Sequence, residues 1–204
     1  MVFLLRLSGA IDRLTTLIGR AAAWLVLAAV LVSALNAVVR KFIDLDPGGV
    51  GLRWYIQTSN SWLELQWYLF SAVFLLAAAY TLQVNEHIRI DVVSGRLAKR
   101  TRDWIDLLGH LFMLMPLVVL MLYEAVPFMS SSIRTAERSA NAGGLPLWPV
   151  KALIVAGFGL LSLQGASEII KRVAVMRGTI PDPLPDHHGH PAAKEQLAPA
   201  EPRT

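Results

Sequence analysis

The stretch WLELQWYLFSAVFLLAAAYTLQV, residues 62–84, runs twenty-three residues with a single charge, Glu64, near its start. A helix rising 1.5 Å per residue needs about 20 residues to cross about 30 Å of hydrocarbon. In lipid every backbone N–H and C=O must find a partner inside the segment, so at this length the stretch predicts a membrane-spanning helix.

Three further stretches follow the same plan. Residues 21–39 (AAAWLVLAAVLVSALNAVV) carry no charge. Residues from about 104 to 128 contain Asp106, His110 and Glu124, and those from about 145 to 169 contain Lys151 and Glu168. With 54% apolar and 17% charged residues and a mean hydropathy of +0.49, the whole chain lies off the soluble balance. The expected fold is an all-α membrane protein with four transmembrane helices. SALNA after the first block resembles a signal-peptide cleavage site, but twenty residues precede a nineteen-residue apolar run, too long for a cleaved signal, and the block reads as a retained helix.

Lys and Arg divide unevenly between the two sides. The N-terminal segment, the 85–103 loop and the tail hold 13, and the opposite side holds 6. Both termini are therefore expected in the cytoplasm. The net charge of +4 and pI near 9.7 largely reflect this asymmetry, which draws anionic headgroups rather than nucleic acid.

Residues 1–20 place Leu4, Leu7, Ile11, Leu14 and Ile18 on one face and Arg6, Arg13 and Arg20 on another. They predict an amphipathic helix lying on the cytoplasmic surface before the chain turns into the membrane. Val93, Leu97, Trp104 and Leu108 recur at helical spacing among basic residues, predicting a second interfacial helix near 93–103. Residues 40–61 read as a turn (DPGGVG) and a short interfacial segment. Pro146 and Pro149 suit the first turn of the fourth helix, and Pro116 predicts a kink in the third. The Pro-rich residues 179–204 form an expected disordered cytoplasmic tail.

Chemistry is sparse. There is no cysteine, and no phosphate-loop, serine-hydrolase, zinc-protease or EF-hand pattern, so no catalytic residue, cofactor site or metal site is assigned and the chain does not read as an enzyme. A His87/His110 pair could ligate haem only at matched depth, and His87 reads as interfacial. His187, His188 and His190 read as solvated residues of the tail. Ionisable groups within spans are costly, so Glu64, Glu124 and Lys151 stand out. Lys151 either pairs with Glu64 or Glu124 across helices, or each snorkels to the interface. Small residues such as Ala21, Ala22, Ala28, Ala29, Ala152 and Ala156 permit close helix contacts.

WLELQWYLFSAVFLLAAAYTLQVNEHIRIDVVSGRL (62–97), with its EHIRIDV helix exit, resembles the small membrane subunit of tripartite ATP-independent periplasmic (TRAP) transporters. NAGGLPLWPVKALIVAGFGLLSLQGASEIIKR (141–172) resembles the mannitol/chloroaromatic branch of that family. The likeness spans about residues 20–178, and the outer loop DLDPGGVGLRWYIQTSN is longer than the family pattern.

The resemblance implies a bacterial inner-membrane subunit that binds no substrate and needs no cofactor. Its partners would be a large multi-helix membrane subunit, a periplasmic solute-binding protein and the lipid bilayer. The small subunit would act as a stator while the large one carries an organic acid or similar solute inward with sodium. Glu86, His87, Arg89 and Asp91 would then hold the exit turn of the second helix to neighbouring backbone or to the partner, and the outer loops around Arg53 and Arg134 would touch the binding protein. Two other classes share this outline: a haem-bearing anchor of a respiratory enzyme, and a stand-alone four-helix scaffold.

Overall fold

The computed structural model describes residues 1–45, 50–84, 99–141 and 143–180. Its helices are α1 (Val2–Leu45), α2 (Val50–Gln83), α3 (Lys99–Gly109), α4 (Met115–Arg134) and α5 (Trp148–Met176). A π-helical turn, His110–Leu114, joins α3 to α4 in one continuous rod. Among the described residues, four segments are long and apolar enough to cross a membrane: Val2–Phe42, Ser59–Gln83, Asp103–Arg134 and Trp148–Met176. The four-span, all-helical reading therefore holds, and the helices are longer than expected.

Helix α5 is the centre of the bundle. It packs on α1 and α2, which also pack on each other, and on the α3–α4 rod. The seams largely follow a seven-residue period: Ser8, Thr15, Ala22 and Ala29 are buried on α1, with Gly19 between them, Ala72 and Ala79 on α2, with Leu82 beyond them, and Val118, Ala125 and Ser132 on α4. Small side chains at that spacing keep one narrow stripe of each helix against its neighbour and let the backbones approach closely. Gly157 shows how close, because a Cβ there would stand 2.8 Å from Leu75 Cβ and 2.9 Å from its carbonyl oxygen. Glycine at this position joins α2 to α5.

The first helix departs from expectation. No turn separates a surface segment from a span, and α1 runs 44 residues without a break. The buried stripe continues unbroken across residue 20, and at Gly19 a Cβ would meet the Tyr80 ring at 2.5 Å. The segment that was to lie flat is instead held upright against α2 and α5. Of residues 40–61, α1 takes in those up to Leu45 and α2 those from Val50, so the expected short interfacial segment is the start of α2, and residues 46–49 of the expected turn lie outside the described residues. The expected interfacial helix near 93–103 is represented by Lys99–Asp103, already collinear with the third span, and residues 93–98 lie outside the described residues. Of the tail, residues 181–204 also lie outside them.

Pro116 has its effect one turn earlier than a simple kink. It has no N–H to donate and its ring crowds the carbonyl four residues back. The chain accommodates it with the wider π turn, in which the Met115 N–H donates to His110 O, five residues back. Pro149 sits in the first turn of α5 as anticipated, whereas Pro146 lies before the helix, in a bridge with Arg138.

Both long helices on the α5 side end in the same cap. After α5, Thr179 N–H donates to Ala174 O and Gly178 N–H to Val175 O, with Gly178 at φ +68°. After α4, Glu137 N–H donates to Ser132 O and Ala136 N–H to Ile133 O, but the left-handed residue is Ala136 at φ 47°. That conformation costs a non-glycine residue about 1–2 kcal/mol.

Candidate functional site

Polar groups gather in two layers at opposite ends of α5. Lys151 marks one and Lys171 the other, about 30 Å apart at 1.5 Å per residue, which is the thickness of the hydrocarbon they bracket.

At the Lys151 end, residues 135–147 fold back as a short hairpin. Ser139 N–H donates to Leu145 O and Leu147 N–H to Glu137 O, both at 3.0 Å, and Gly144 N–H closes the turn on Asn141 O. Three side chains of α2 fasten it. Glu64 accepts from Asn141 Nδ2 at 2.9 Å and Leu145 N at 2.7 Å, Tyr68 donates to Pro146 O at 2.7 Å, and Ser61 donates to Gly143 O. The intraspan carboxylate is thus a clamp on the loop.

Lys151, 8% exposed, forms an ion pair with Glu137, and its Nζ lies 3.8 Å from the centroid of the Phe128 ring. The ammonium beside it holds the Glu137 carboxyl below the ordinary carboxylate value. The pairing expected of Lys151 with Glu64 or Glu124 is therefore replaced by one with Glu137. Glu64 is taken up by the hairpin, and Glu124 lies exposed on α4. Glu137 escaped notice because a hydropathy scan flags charges within spans, whereas this one is carried back to the span by the loop.

At the Lys171 end, α1 and α5 share a buried network. Asp12 Oδ1 accepts from Gln164 Nε2 at 2.9 Å and Ser167 Oγ at 3.0 Å, and Lys171 Nζ lies 3.3 Å from both oxygens of that carboxylate. Gln164 Nε2 and Lys171 Nζ also donate to Glu168 Oε1. Because the Ser167 proton goes to Asp12, Ser8 is the donor in the 2.7 Å Ser8–Ser167 contact. One turn along α1, Gln83 Nε2 donates to Thr16 Oγ1 at 3.1 Å and ties in α2.

The α3–α4 rod is fastened to α5 by a buried guanidinium. Arg172 Nη1 lies 3.2 Å from Asp103 Oδ1 and Nη2 2.8 Å from Asp106 Oδ2. His110 Nδ1 is 2.6 Å from Asp106 O, and since a carbonyl only accepts, Nδ1 carries the proton. Asp12, Asp103, Gln164 and Arg172 were not singled out from the sequence, although Ser8, Thr15, Ala22 and Ala29 at steps of seven already placed a polar, small-residue seam there.

Arg134 stands exposed in the last turn of α4, and Arg53 lies in the first turn of α2. Glu86, His87, Arg89 and Asp91 lie outside the described residues. Among the described residues, no group of three or more His, Cys, Asp or Glu side chains could hold a metal ion.

Residues 49–175 match the family described as tripartite ATP-independent periplasmic transporters, DctQ component. No curated protein and no solved structure matches the chain. The match covers α2 to the last turn of α5, including the Glu64-clamped hairpin and the Arg172 tie of α3 to α5. A multi-pass chain whose polar side chains are spent on fastening helices and one loop belongs to the DctQ family, the small membrane subunit of TRAP transporters.

Proposed function

We propose that this subunit is a stator: a fixed four-span brace for the large multi-helix subunit of a sodium-driven, binding-protein-dependent transporter of an organic acid or similar solute in the bacterial inner membrane. The observation that carries the reading is the distribution of polar and apolar surface. Polar groups at both ends lock α1, α2 and the α3–α4 rod onto α5, while the outward faces of α1 (Phe3, Leu17, Trp24) and of the α3–α4 rod (Phe112, Met113, Tyr123) stay apolar and uncovered. A body of this kind resists internal rearrangement and offers broad surfaces for lipid and a partner.

By the excess of Lys and Arg, the Lys171 end and both termini face the cytoplasm. Glu86, His87, Arg89 and Asp91 then belong to a cytoplasmic collar against the large subunit, and the hairpin, Arg134 and Arg53 face the binding protein. The test is affinity purification of this chain from its native membrane in mild detergent, followed by transport in proteoliposomes. Recovery of one large membrane protein near one-to-one, with uptake that requires this chain and sodium, is expected. Recovery alone, a haem absorption band, or full uptake without this chain would overturn the reading.

A further inference from the structure

One cation interrupts the apolar outward face of α1. Arg20 is exposed there, with Leu17 and Trp24, 68% and 73% exposed, on the same face three residues before it and four after. Arg6 and Arg13 continue this face toward the Lys171 end at steps of seven. Among the described residues, no carboxylate is paired with Arg20.

The register of the helices sets its depth. α1 runs antiparallel to α5, since Ser8 meets Ser167 and Asp12 meets Gln164. Further along, Ile18, Ala21 and Ala22 line one groove with Ala156, Gly159 and Leu160, so Arg20 is level with Phe158. At 1.5 Å per residue that is about 20 Å from the Lys171 layer and about 10 Å from the Lys151 layer, inside the hydrocarbon the two bracket.

Neither boundary is within reach of the guanidinium. A helical side chain leans toward the N-terminus of its helix, which for α1 is the Lys171 side and the longer route, and an arginine side chain is too short even for the nearer one. Nor can α1 rotate to turn it inward. Thr15, Gly19 and Ala22 are buried in its seams, and a Cβ at Gly19 would already stand 2.5 Å from the Tyr80 ring. A charge at this depth is held by a partner group or a water-filled cavity. Acyl chains offer no acceptor, whereas an acidic side chain on a neighbouring membrane helix complements the guanidinium and its helix covers Leu17 and Trp24 at the same time.

We infer that the Leu17–Arg20–Trp24 face of α1 seats a membrane helix of the large subunit, which places a carboxylate side chain on Arg20. The inference rests on the stator reading and adds to it the face and the contact by which the brace is held.

The test compares Arg20→Leu with the unsubstituted chain, first by retention of the large subunit in mild-detergent affinity purification and then by thermal unfolding of the chain alone. Arg20→Leu should weaken the hold on the large subunit at least about tenfold, because it strands a buried charge on the partner. Arg20→Lys should lose less, since it keeps the charge. Alone, Arg20→Leu should melt within about 2 °C of the unsubstituted chain, as a surface replacement does. Unchanged retention with Arg20→Leu would overturn the inference, and so would a larger drop in the melting temperature of the chain alone, which would put the carboxylate within this chain. The chain has no cysteine, so Leu17→Cys is a unique label. In the complex it should resist a membrane-impermeant maleimide, and rapid labelling would overturn the inference by revealing a water-filled cavity. If the unsubstituted chain recovers no large subunit at all, the stator reading falls and this inference with it.

Discussion

Replacing Arg172 by Met tests the logic of the bundle most directly. The Arg172 side chain is 7% exposed, and its two nearest anionic neighbours, Asp103 and Asp106, are 11% and 19% exposed. Met matches the aliphatic stem but leaves two largely buried carboxylates without this guanidinium. Removing one partner of a buried ion pair costs about 3–5 kcal/mol, most of it from the stranded charge rather than from the lost attraction. For a chain of 150–250 residues each kcal/mol shifts the melting temperature by about 2–4 °C, so Arg172→Met should melt about 6–20 °C lower. The assay is thermal unfolding in mild detergent, followed by fluorescence-detected gel filtration. Adding Asp103→Asn to Arg172→Met should recover part of the loss, because it removes one stranded charge. Arg172→Lys should fall in between, keeping the charge but not the two-pronged geometry. A shift under about 3 °C for Arg172→Met, or no recovery in the double variant, would show that α3 is not held by this pair.

Other expected outcomes follow from single positions. Gly157→Ala drives a methyl into Leu75 and should cost about 1–3 kcal/mol, whereas Gly159→Ala, with nothing within 4 Å, should be neutral or gain up to about 1 kcal/mol in the isolated subunit; equal melting temperatures would refute the α2–α5 contact. Ala136→Gly relieves a positive φ and should stabilise by about 0.5–1 kcal/mol in the same assay, and a loss would show that the strain is not there. Because the folded value of Glu137 lies below its ordinary 4.5, its ion pair contributes fully above pH 4.5 and is lost as pH falls through the lowered folded value. Amide exchange at Ser139 and Leu147 should therefore be flat from neutral pH down to about 4.5 once corrected for intrinsic rates and accelerate below, and Glu137→Gln should remove that acid step. Glu64→Gln keeps one carbonyl acceptor for the hairpin donors and should loosen the hairpin less than Glu64→Ala, read as exchange at Leu145.

Much of the architecture was legible because it depends on local quantities. Hydropathy summed over about 20 residues reports a span whatever surrounds it, and residues 62–84 and 145–169 carry that signal plainly. The family resemblance also rests on contiguous residues, and the match over residues 49–175 agrees with it. Helix ends were read less well. Residues 1–20 have the pattern of a surface helix, yet polarity at a helix face says only that something polar meets it. Here that something is Ser167, Gln164 and Lys171 of α5, which meet Ser8 and Asp12 and hold α1 upright.

Pairing of charges was beyond the sequence for the same reason. Lys151 lies nearer in sequence to Glu137 than to Glu64 or Glu124, but proximity along a chain does not set distance once a hairpin folds back on a helix end. By itself the sequence determined a four-span, all-helical membrane protein, because burial of apolar length in lipid is a sum over neighbouring residues, and the resemblance of its contiguous motifs added the TRAP family. Only the tertiary structure decided that α5 is the hub, that Glu64 clamps a loop and that Arg172 ties α3 to α5. Those outcomes depend on which side chains meet across helices, and a buried charge has to take the partner that packing brings to it.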